Sequence, residues 1–380
     1  MPKFSKQIIS KYIKTDCKRF LALSLYRNKK DQESAKMYGM PEPIVARPAA
    51  NIFAKVGQKA EDLVYDLIRN EFGDKSIKFD NSKLSSEHLH SLFDNHLEDK
   101  LFLLEAEFVT DDLLESFFNQ FGYSTLDFED ELVVSDIRPD IITRVIPNKY
   151  EKYFEVLPDA RLKRIDEKDN RIMLSIIDIK NTEKSNTGYD AEVILYAMLL
   201  TLWLQKNNLS DIYVVTSKSG ILPAFFKVNA FTNHYEPLAG TSTNDKYKEF
   251  LSCIEYIEHD QVAITLRKII LEDIIPILLK PTSWEELEWH ISKKCGLCDW
   301  LAYEPWLSTS NKEKINKKHC HIYALNCDHI SQIPFVTNAM RKVLDSERIS
   351  TLTDINNTNG SEEIYNKHSK LKTDSSIIPK

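Results

Sequence analysis

Residues 172–180 read Ile172-Met173-Leu174-Ser175-Ile176-Ile177-Asp178-Ile179-Lys180, and the rest of the chain takes its meaning from them. The run 172–179 is short, β-branched and apolar, and the charged turn Glu167-Lys168-Asp169-Asn170 bounds it. It predicts a strand buried on both faces. Residues two apart on a strand share a side, so Asp178 and Lys180 point one way while Ile177 and Ile179 enter the core. A carboxylate and an ammonium at the end of a buried strand are costly unless they are paired or hold a ligand. Upstream, Arg138-Pro139-Asp140-Ile141-Ile142 supplies a second acid; downstream, a long apolar helix carries Glu192 and Tyr196. Asp140, Asp178 and Lys180 together suit metal-assisted phosphodiester cleavage. The two acids offer hard oxygen donors to a divalent cation, which acidifies a water and neutralises phosphate charge. The amine orients that water or stabilises the pentavalent oxyanion. An Asp-x-Lys at a solvated strand end is also common and needs no chemistry at all.

Composition narrows the field. The chain has 380 residues, 42% hydrophobic and 28% charged, with a formal net charge of −7. That is ordinary for a soluble globular protein with a sizeable core, in one large domain or two smaller ones. The negative balance excludes a uniformly basic coat, so nucleic acid must be met by local patches. One comprises Lys3, Lys6, Lys11, Lys14, Lys18, Arg19, Arg27, Lys29 and Lys30; the other is Lys312, Lys314, Lys317 and Lys318. The longest uncharged run, 193–204, is too short to span a bilayer, and the basic N-terminus lacks the apolar core of a signal peptide. A cytoplasmic location without membrane partners is expected.

In chain order, helical spacing covers 4–26, a strong amphipathic helix 49–72, and a weaker one 84–97 with His88, His90 and His96 on its surface. Pro41, Pro43 and Pro48 impose an extended segment over 36–48. Strands are expected at 101–108, 153–156 and 172–179, a strand pair or one bent strand at 131–145, and a short helix at 111–121. The buried helix at 191–205 precedes strands at 212–216 and 221–228, and 247–279 reads as one long helical stretch. Strand–strand–strand–helix–strand predicts an α/β core of mixed sheet. Residues 329–355 form a small helical tail, and beyond Asn356 the composition turns to a polar linker or disordered end.

Cys295-Gly296-Leu297-Cys298 has metal-ligand spacing; Cys320 and Cys327 follow, Cys17 lies far upstream, and Cys253 reads as core on a helix face. Clustered cysteines plus a distant one fit a thiolate site for zinc or an iron–sulfur cluster, and the spacing leaves both open.

In this order the pieces resemble the RecB-like branch of the PD-(D/E)XK nucleases. More narrowly they resemble its iron–sulfur subset, which includes AddB-type nucleases, CRISPR adaptation nucleases and RecB-like proteins found beside helicases. Ser10-Lys11-Tyr12-Ile13-Lys14-Thr15-Asp16-Cys17-Lys18-Arg19-Phe20 is similar to the lone upstream cluster cysteine with its basic and aromatic followers. Gly57-Gln58-Lys59-Ala60-Glu61 resembles the helix with a metal-facing acid. Pro139-Asp140 and Asp178-Ile179-Lys180 resemble the metal-binding core, and Glu192-Val193-Ile194-Leu195-Tyr196 stands where the family has Gln-x-x-x-Tyr.

The resemblance implies a restriction-endonuclease-like core over 1–282 that includes the N-terminal cluster cysteine, a cysteine-cluster region at 283–328, and a degenerate helix–hairpin–helix at 329–355. It implies Asp140 and Asp178 as ligands of Mg2+ or Mn2+, Lys180 as the catalytic lysine, and Glu61 as an accessory ligand or water-orienting acid. Glu192 and Tyr196 would line the substrate groove. Cys17, Cys295, Cys298 and Cys320 would hold a structural 4Fe-4S cluster, with Cys327 an alternative to Cys320. The family often carries histidine where this chain has Ala60, and glutamine where it has Glu192. The expected activity is a deoxyribonuclease acting on single-stranded DNA or DNA ends, in repair or anti-phage defence. The chain has no Gly-x-x-x-x-Gly-Lys-[Ser/Thr] loop, so a helicase partner is expected. The alternative is a catalytically inactive nucleic-acid-binding scaffold subunit.

Overall fold

A computed structural model describes residues 2–26, 41–44, 50–78, 86–94, 97–108, 111–128, 130–134, 138–223, 227–280, 283, 286–333 and 336–357. The basic residues Arg27, Lys29 and Lys30, Pro48, His96, Pro334, Phe335 and the polar end beyond Asn357 lie outside the described residues. Two compact units form: Met1–Ile13 with Asn51–Pro281, and Lys14–Ala50 with Thr282–Lys380.

The elements open with β1 (Lys3–Phe4), α1 (Lys6–Thr15), α2 (Lys18–Leu25), α3 (Ala50–Phe72), β2 (Ser76–Lys78) and α4 (Ser86–Asp94). There follow β3 (Phe102–Leu104), α5 (Asp111–Asn119), β4 (Val133–Val134), β5 (Ile141–Arg144), β6 (Phe154–Val156), β7 (Leu162–Arg164) and β8 (Ile172–Lys180). Next come α6 (Thr187–Lys206), β9 (Tyr213–Val215), β10 (Gly220–Pro223), β11 (Val228–Asn229), β12 (His234–Tyr235), α7 (Thr243–Leu251), β13 (Glu255–Tyr256) and α8 (His259–Lys268). After a π-helical stretch at Ile269–Ile274, the chain ends with α9 (Ile275–Leu279), α10 (Thr309–Lys312), α11 (Cys320–Asn326), α12 (Asn338–Ser346) and α13 (Leu352–Asn357).

The first unit is α/β. A mixed sheet in the order β13-β10-β8-β5-β3-β2 is flanked by helices, with β9 also pairing along β8. β8 is its centre, antiparallel to β5 and parallel to β10 and β9. Its apolar run is buried from Met173 to Ile179, which is why it needed no polar alternation to be a strand. Ile177 and Ile179 pack with Val64 and Ile68 of α3. Helix α6 is buried almost all round, as its uninterrupted apolar sequence requires, and Asn186 caps it by accepting from the N–H groups of Gly188 and Tyr189.

Three expectations are corrected. Residues 153–156 touch the main sheet only through a single bridge, Glu155 with Thr216 just past β9: Leu157 N–H donates to the Arg161 carbonyl, folding β6 back onto β7 as a two-stranded hairpin. The stretch 247–279 is not one helix. It stops at Leu251, and Glu255–Tyr256 becomes an edge strand on β10. That edge comes close enough that a Cβ at Gly220 would sit 2.5 Å from the Glu255 carbonyl oxygen, so only glycine fits. Residues 131–145, expected as a strand pair or one bent strand, are indeed two strands, but they lie in different sheets, β4 beside β1 and β5 in the main sheet.

The second unit is helical. Ile330, Val336, Met340, Leu344 and Ile349 form a small core, and the Ile44 N–H donates to the Asp299 carbonyl at 2.7 Å. The region expected to resemble helix–hairpin–helix is bridged at His329 and Thr351, with Ile330 and Ile349 turned inward to pack.

Candidate active site

Strand register brings the two acids together. Ile141 pairs with Ile177 across the antiparallel β5–β8 ladder, so Asp140, one residue before, comes opposite Asp178, one residue after. Asp140 Oδ2 also accepts from the Ile179 backbone N–H at 2.6 Å. On the same face as Asp178, the Lys180 ammonium contacts Asp178 Oδ2 and lies 3.0 Å from Glu192 Oε2 of α6, bridging the two carboxylates. Glu61 on α3 is close enough for its charge to couple with Lys180 and Asp178. Thus Asp140, Asp178, Lys180, Glu61 and Glu192 form one cluster at the end of the central strand.

The structure adds a member. Lys6, at the start of α1, places Nζ 3.8 Å from Asp178 Oδ1 and 4.9 Å from the centre of the Tyr196 ring. Each oxygen of Asp178 therefore faces an ammonium group. Both are buried, and their partners are these ammonium groups and the neighbouring Asp140 carboxyl. In the sequence Lys6 is one lysine among many; nothing local marks it, because its role depends on where a helix more than 170 residues upstream docks.

Burial and charge set the protonation. Burial pushes the Asp140 carboxyl well above the carboxylate range, and neighbouring Asp178 pushes it further. Asp178 is equally buried, but the ammonium groups of Lys180 and Lys6 outweigh that and hold it below its ordinary value. Burial also raises Glu61 against the opposing pull of Lys180. For Lys180, desolvation is overcome by Asp178, Glu192 and Asp140, which keep it charged. Tyr196, raised chiefly by burial, keeps its proton, and its hydroxyl has no hydrogen-bond partner among the described residues.

Glu192 and Tyr196 are 4% and 0% exposed, so they lie beneath the cluster rather than along an open groove. The rim is different. Arg138 Nη2 reaches Glu105 Oε1 at 2.9 Å and Lys78 reaches Glu105 Oε2 at 3.2 Å, while the Glu105 N–H donates to the Asp140 carbonyl. The acid oxygens of Asp140, Asp178, Glu61 and Glu192 are the donor type a divalent cation takes. Among the described residues, however, no three His, Cys, Asp or Glu side chains are gathered as a ready cage for an ion. The Lys180 ammonium bridges Asp178 and Glu192 instead.

In the second unit, Cys17, Cys295, Cys298 and Cys320 line one cavity of about 20 Å3, whereas Cys327 is exposed and Cys253, in the first unit, is half-buried. All six are free thiols. The chain breaks between α1 and α2 with Asp16 at φ 51°, which lets Cys17 cap α2 and accept from the Phe20 N–H at 3.4 Å. Ser292 N–H donates to Cys295 Sγ at 3.4 Å and Arg19 Nη1 to Cys320 Sγ at 3.8 Å. Arg19 is fully buried, its guanidinium 4.2 Å from the centre of the Trp289 ring. Donors aimed at sulfur favour thiolates, the form that binds metal. As neutral thiols they are hard to ionise: burial, then Cys320, pushes Cys17 up to about 12. The donor set fits a thiolate-bound metal. Among the described residues the sulfurs, like the acids of the first unit, are not gathered as a ready cage for an ion, so a metal would need them to close in.

Among the described residues no helix is long and apolar enough to cross a membrane. Comparison of the chain with protein-family models, curated proteins and solved structures finds no match.

Proposed function

We propose that the chain is a divalent-metal-dependent nuclease of the RecB-like PD-(D/E)XK kind, cutting phosphodiester bonds of single-stranded DNA or DNA ends. The observation that carries this reading is the meeting of Asp140, Asp178 and Lys180 at one strand end, with the acids set opposite each other by the β5–β8 register. Asp140 and Asp178, with Glu61, would hold Mg2+ or Mn2+; such an ion, when bound, lowers the pKa of a water and neutralises phosphate charge. The protein's own groups do the rest. Lys180, steered by Glu192, presents its ammonium to the charge that develops on the phosphate. Lys6 supplies a second positive charge beside Asp178, and Tyr196 supports Lys6 from below. Cys17, Cys295, Cys298 and Cys320 would bind an iron–sulfur cluster, or zinc, as a structural centre of the second unit. Lacking a phosphate loop, the chain would rely on a helicase for unwinding, in repair or anti-phage defence within the cytoplasm.

Incubation with single-stranded DNA and Mn2+ tests this. Cleavage should occur and fall roughly 100-fold or more in Asp178→Ala; no cleavage, or cleavage untouched by that change, rejects the reading. A second reading, a binding scaffold without turnover, is favoured by the Lys180 bridge between Asp178 and Glu192. It predicts salt-dependent DNA binding that survives Asp178→Ala.

A further inference from the structure

Immediately after Lys180 the chain enters Asn181, which lines a cavity of about 450 Å3 whose other wall is the β11–β12 hairpin. From the hairpin come Lys227, Asn229, Phe231, Thr232 and His234. Phe231, in the turn, is 79% exposed. One exposed phenylalanine is ordinary on a protein surface. The way this one is held is not.

The hairpin is fixed from below and at both ends. Val228 and Ala230 are buried in the core of the first unit. Lys227 sits at φ 46° and Asn233 at φ 55°, the first a costly conformation for a lysine. Lys227 is kept there by the Glu236 N–H donating to its carbonyl at 2.7 Å, by its ammonium reaching the Pro237 carbonyl at 3.2 Å, and by an ion pair with Glu249. Asn233 accepts from Lys59 of α3 at 3.4 Å. Asn229 Oδ1 accepts from the N–H groups of Phe231 and Thr232 at 3.1 and 3.2 Å, tying the turn that carries the ring. The aromatic face is therefore presented on a rigid frame beside the strand end that bears the catalytic lysine.

The lining also says what would enter. Lys227 is neutralised by Glu249, and Glu236 is itself part of the wall, so the cavity offers no net attraction to phosphate. An exposed ring surrounded by amide, hydroxyl and imidazole groups suits a flat, neutral, polar-edged aromatic. An unpaired nucleobase has that chemistry, and a base inside a duplex does not present its face. We propose that this cavity receives one unstacked base of the strand whose phosphate lies at the Asp140–Asp178–Lys180 cluster, with the base face on the Phe231 ring. The proposal rests on the nuclease reading for its ligand, and its test is separable from it.

The full chain in EDTA, titrated with fluorescein-labelled single-stranded DNA and with oligomers carrying 2-aminopurine, reads binding by anisotropy and stacking by quenched emission. Phe231→Ala should bind single strands roughly 5- to 100-fold more weakly and lose the quenching, as expected for one lost base–aromatic stack. Phe231→Trp should restore both. Because the ring is exposed, neither change should alter the melting temperature. Wild-type and Phe231→Ala proteins that bind within twofold of each other with equal emission overturn the pocket, even if Mn2+-dependent cleavage is intact. Weaker binding by Phe231→Ala in a protein that never cuts leaves the pocket standing and removes the nuclease reading. A wild type that binds no single-stranded DNA at all overturns both.

Discussion

Asp140 Oδ2 accepts a hydrogen bond from the backbone N–H of Ile179 at 2.6 Å. A side chain thus continues the β5–β8 ladder one residue past the end of β5, and a catalytic candidate doubles as a strand partner. Asp140→Ala strands a buried N–H and should cost ~1–3 kcal/mol. Asp140→Asn keeps an acceptor and, like the acid whose proton burial and Asp178 retain, carries no charge beside Asp178, so its stability should stay near wild type while the proposed metal-dependent activity is lost. Urea unfolding of the two variants checks this, and equal losses would show that the hydrogen bond carries no weight.

Lys6 faces one oxygen of Asp178 as Lys180 faces the other. Lys6→Met leaves a buried carboxylate with a single cation and should destabilise by ~1–3 kcal/mol. In the proposed reaction it should also lower turnover about tenfold or more, with partial recovery in Lys6→Arg. Thermal melts and single-strand cleavage measured side by side decide it. A variant with wild-type values in both would reduce Lys6 to a helix anchor.

Four cysteines line one cavity and a fifth, Cys327, lies exposed. Cys17→Ser and Cys320→Ser should lose bound metal and lower the melting temperature of the second unit; Cys327→Ser should change neither. Metal analysis and absorbance of protein prepared without oxygen separate iron–sulfur from zinc. Retention of full metal content by Cys320→Ser would exclude this ligand set.

His329 stacks on Trp289 at 4.4 Å, and its Nδ1 accepts from the Ser331 N–H at 3.1 Å, which requires a neutral ring. Burial, reinforced by the neighbouring His290, lowers it to about 4. The unfolded chain takes up its proton near 6.5. Stability from this group is therefore complete above pH 6.5 and declines as pH falls towards 4. With the ring partly solvated, the loss is ~1–2 kcal/mol. NMR titration of the ring should give a midpoint near 4, and His329→Asn should flatten the acid limb of the stability curve. A midpoint at the ordinary histidine value would contradict the packing argument.

Much of the first unit was legible because it is written locally. The β-branched run at β8, the amphipathic α3 and the apolar α6 each carry their period in neighbouring residues, and the sequence reading places all three within a few positions. The cluster of Asp140, Asp178, Lys180 and Glu61 was also anticipated. What failed is non-local. Whether Phe154–Val156 joins the sheet depends on the turn after it, and whether 247–279 is one helix depends on an open edge at β10. Lys6 was invisible for the same reason. The resemblance implied Glu192 and Tyr196 along a groove, yet both are buried, Glu192 drawn inward to Lys180 and Tyr196 lying under Lys6.

The register of β5 against β8 has a consequence for the life of the chain in the cell. Neither strand end holds more than one acid by itself, and Glu192 reaches Lys180 only once α6 has packed. A ribosome must therefore release the polypeptide beyond Lys206 before the proposed cutting centre exists at all. A slip of one position in pairing would turn the acids to opposite sides of the sheet. If the chain cuts DNA as proposed, unfinished or misfolded copies are thereby disarmed, a built-in safeguard for the genome that encodes it.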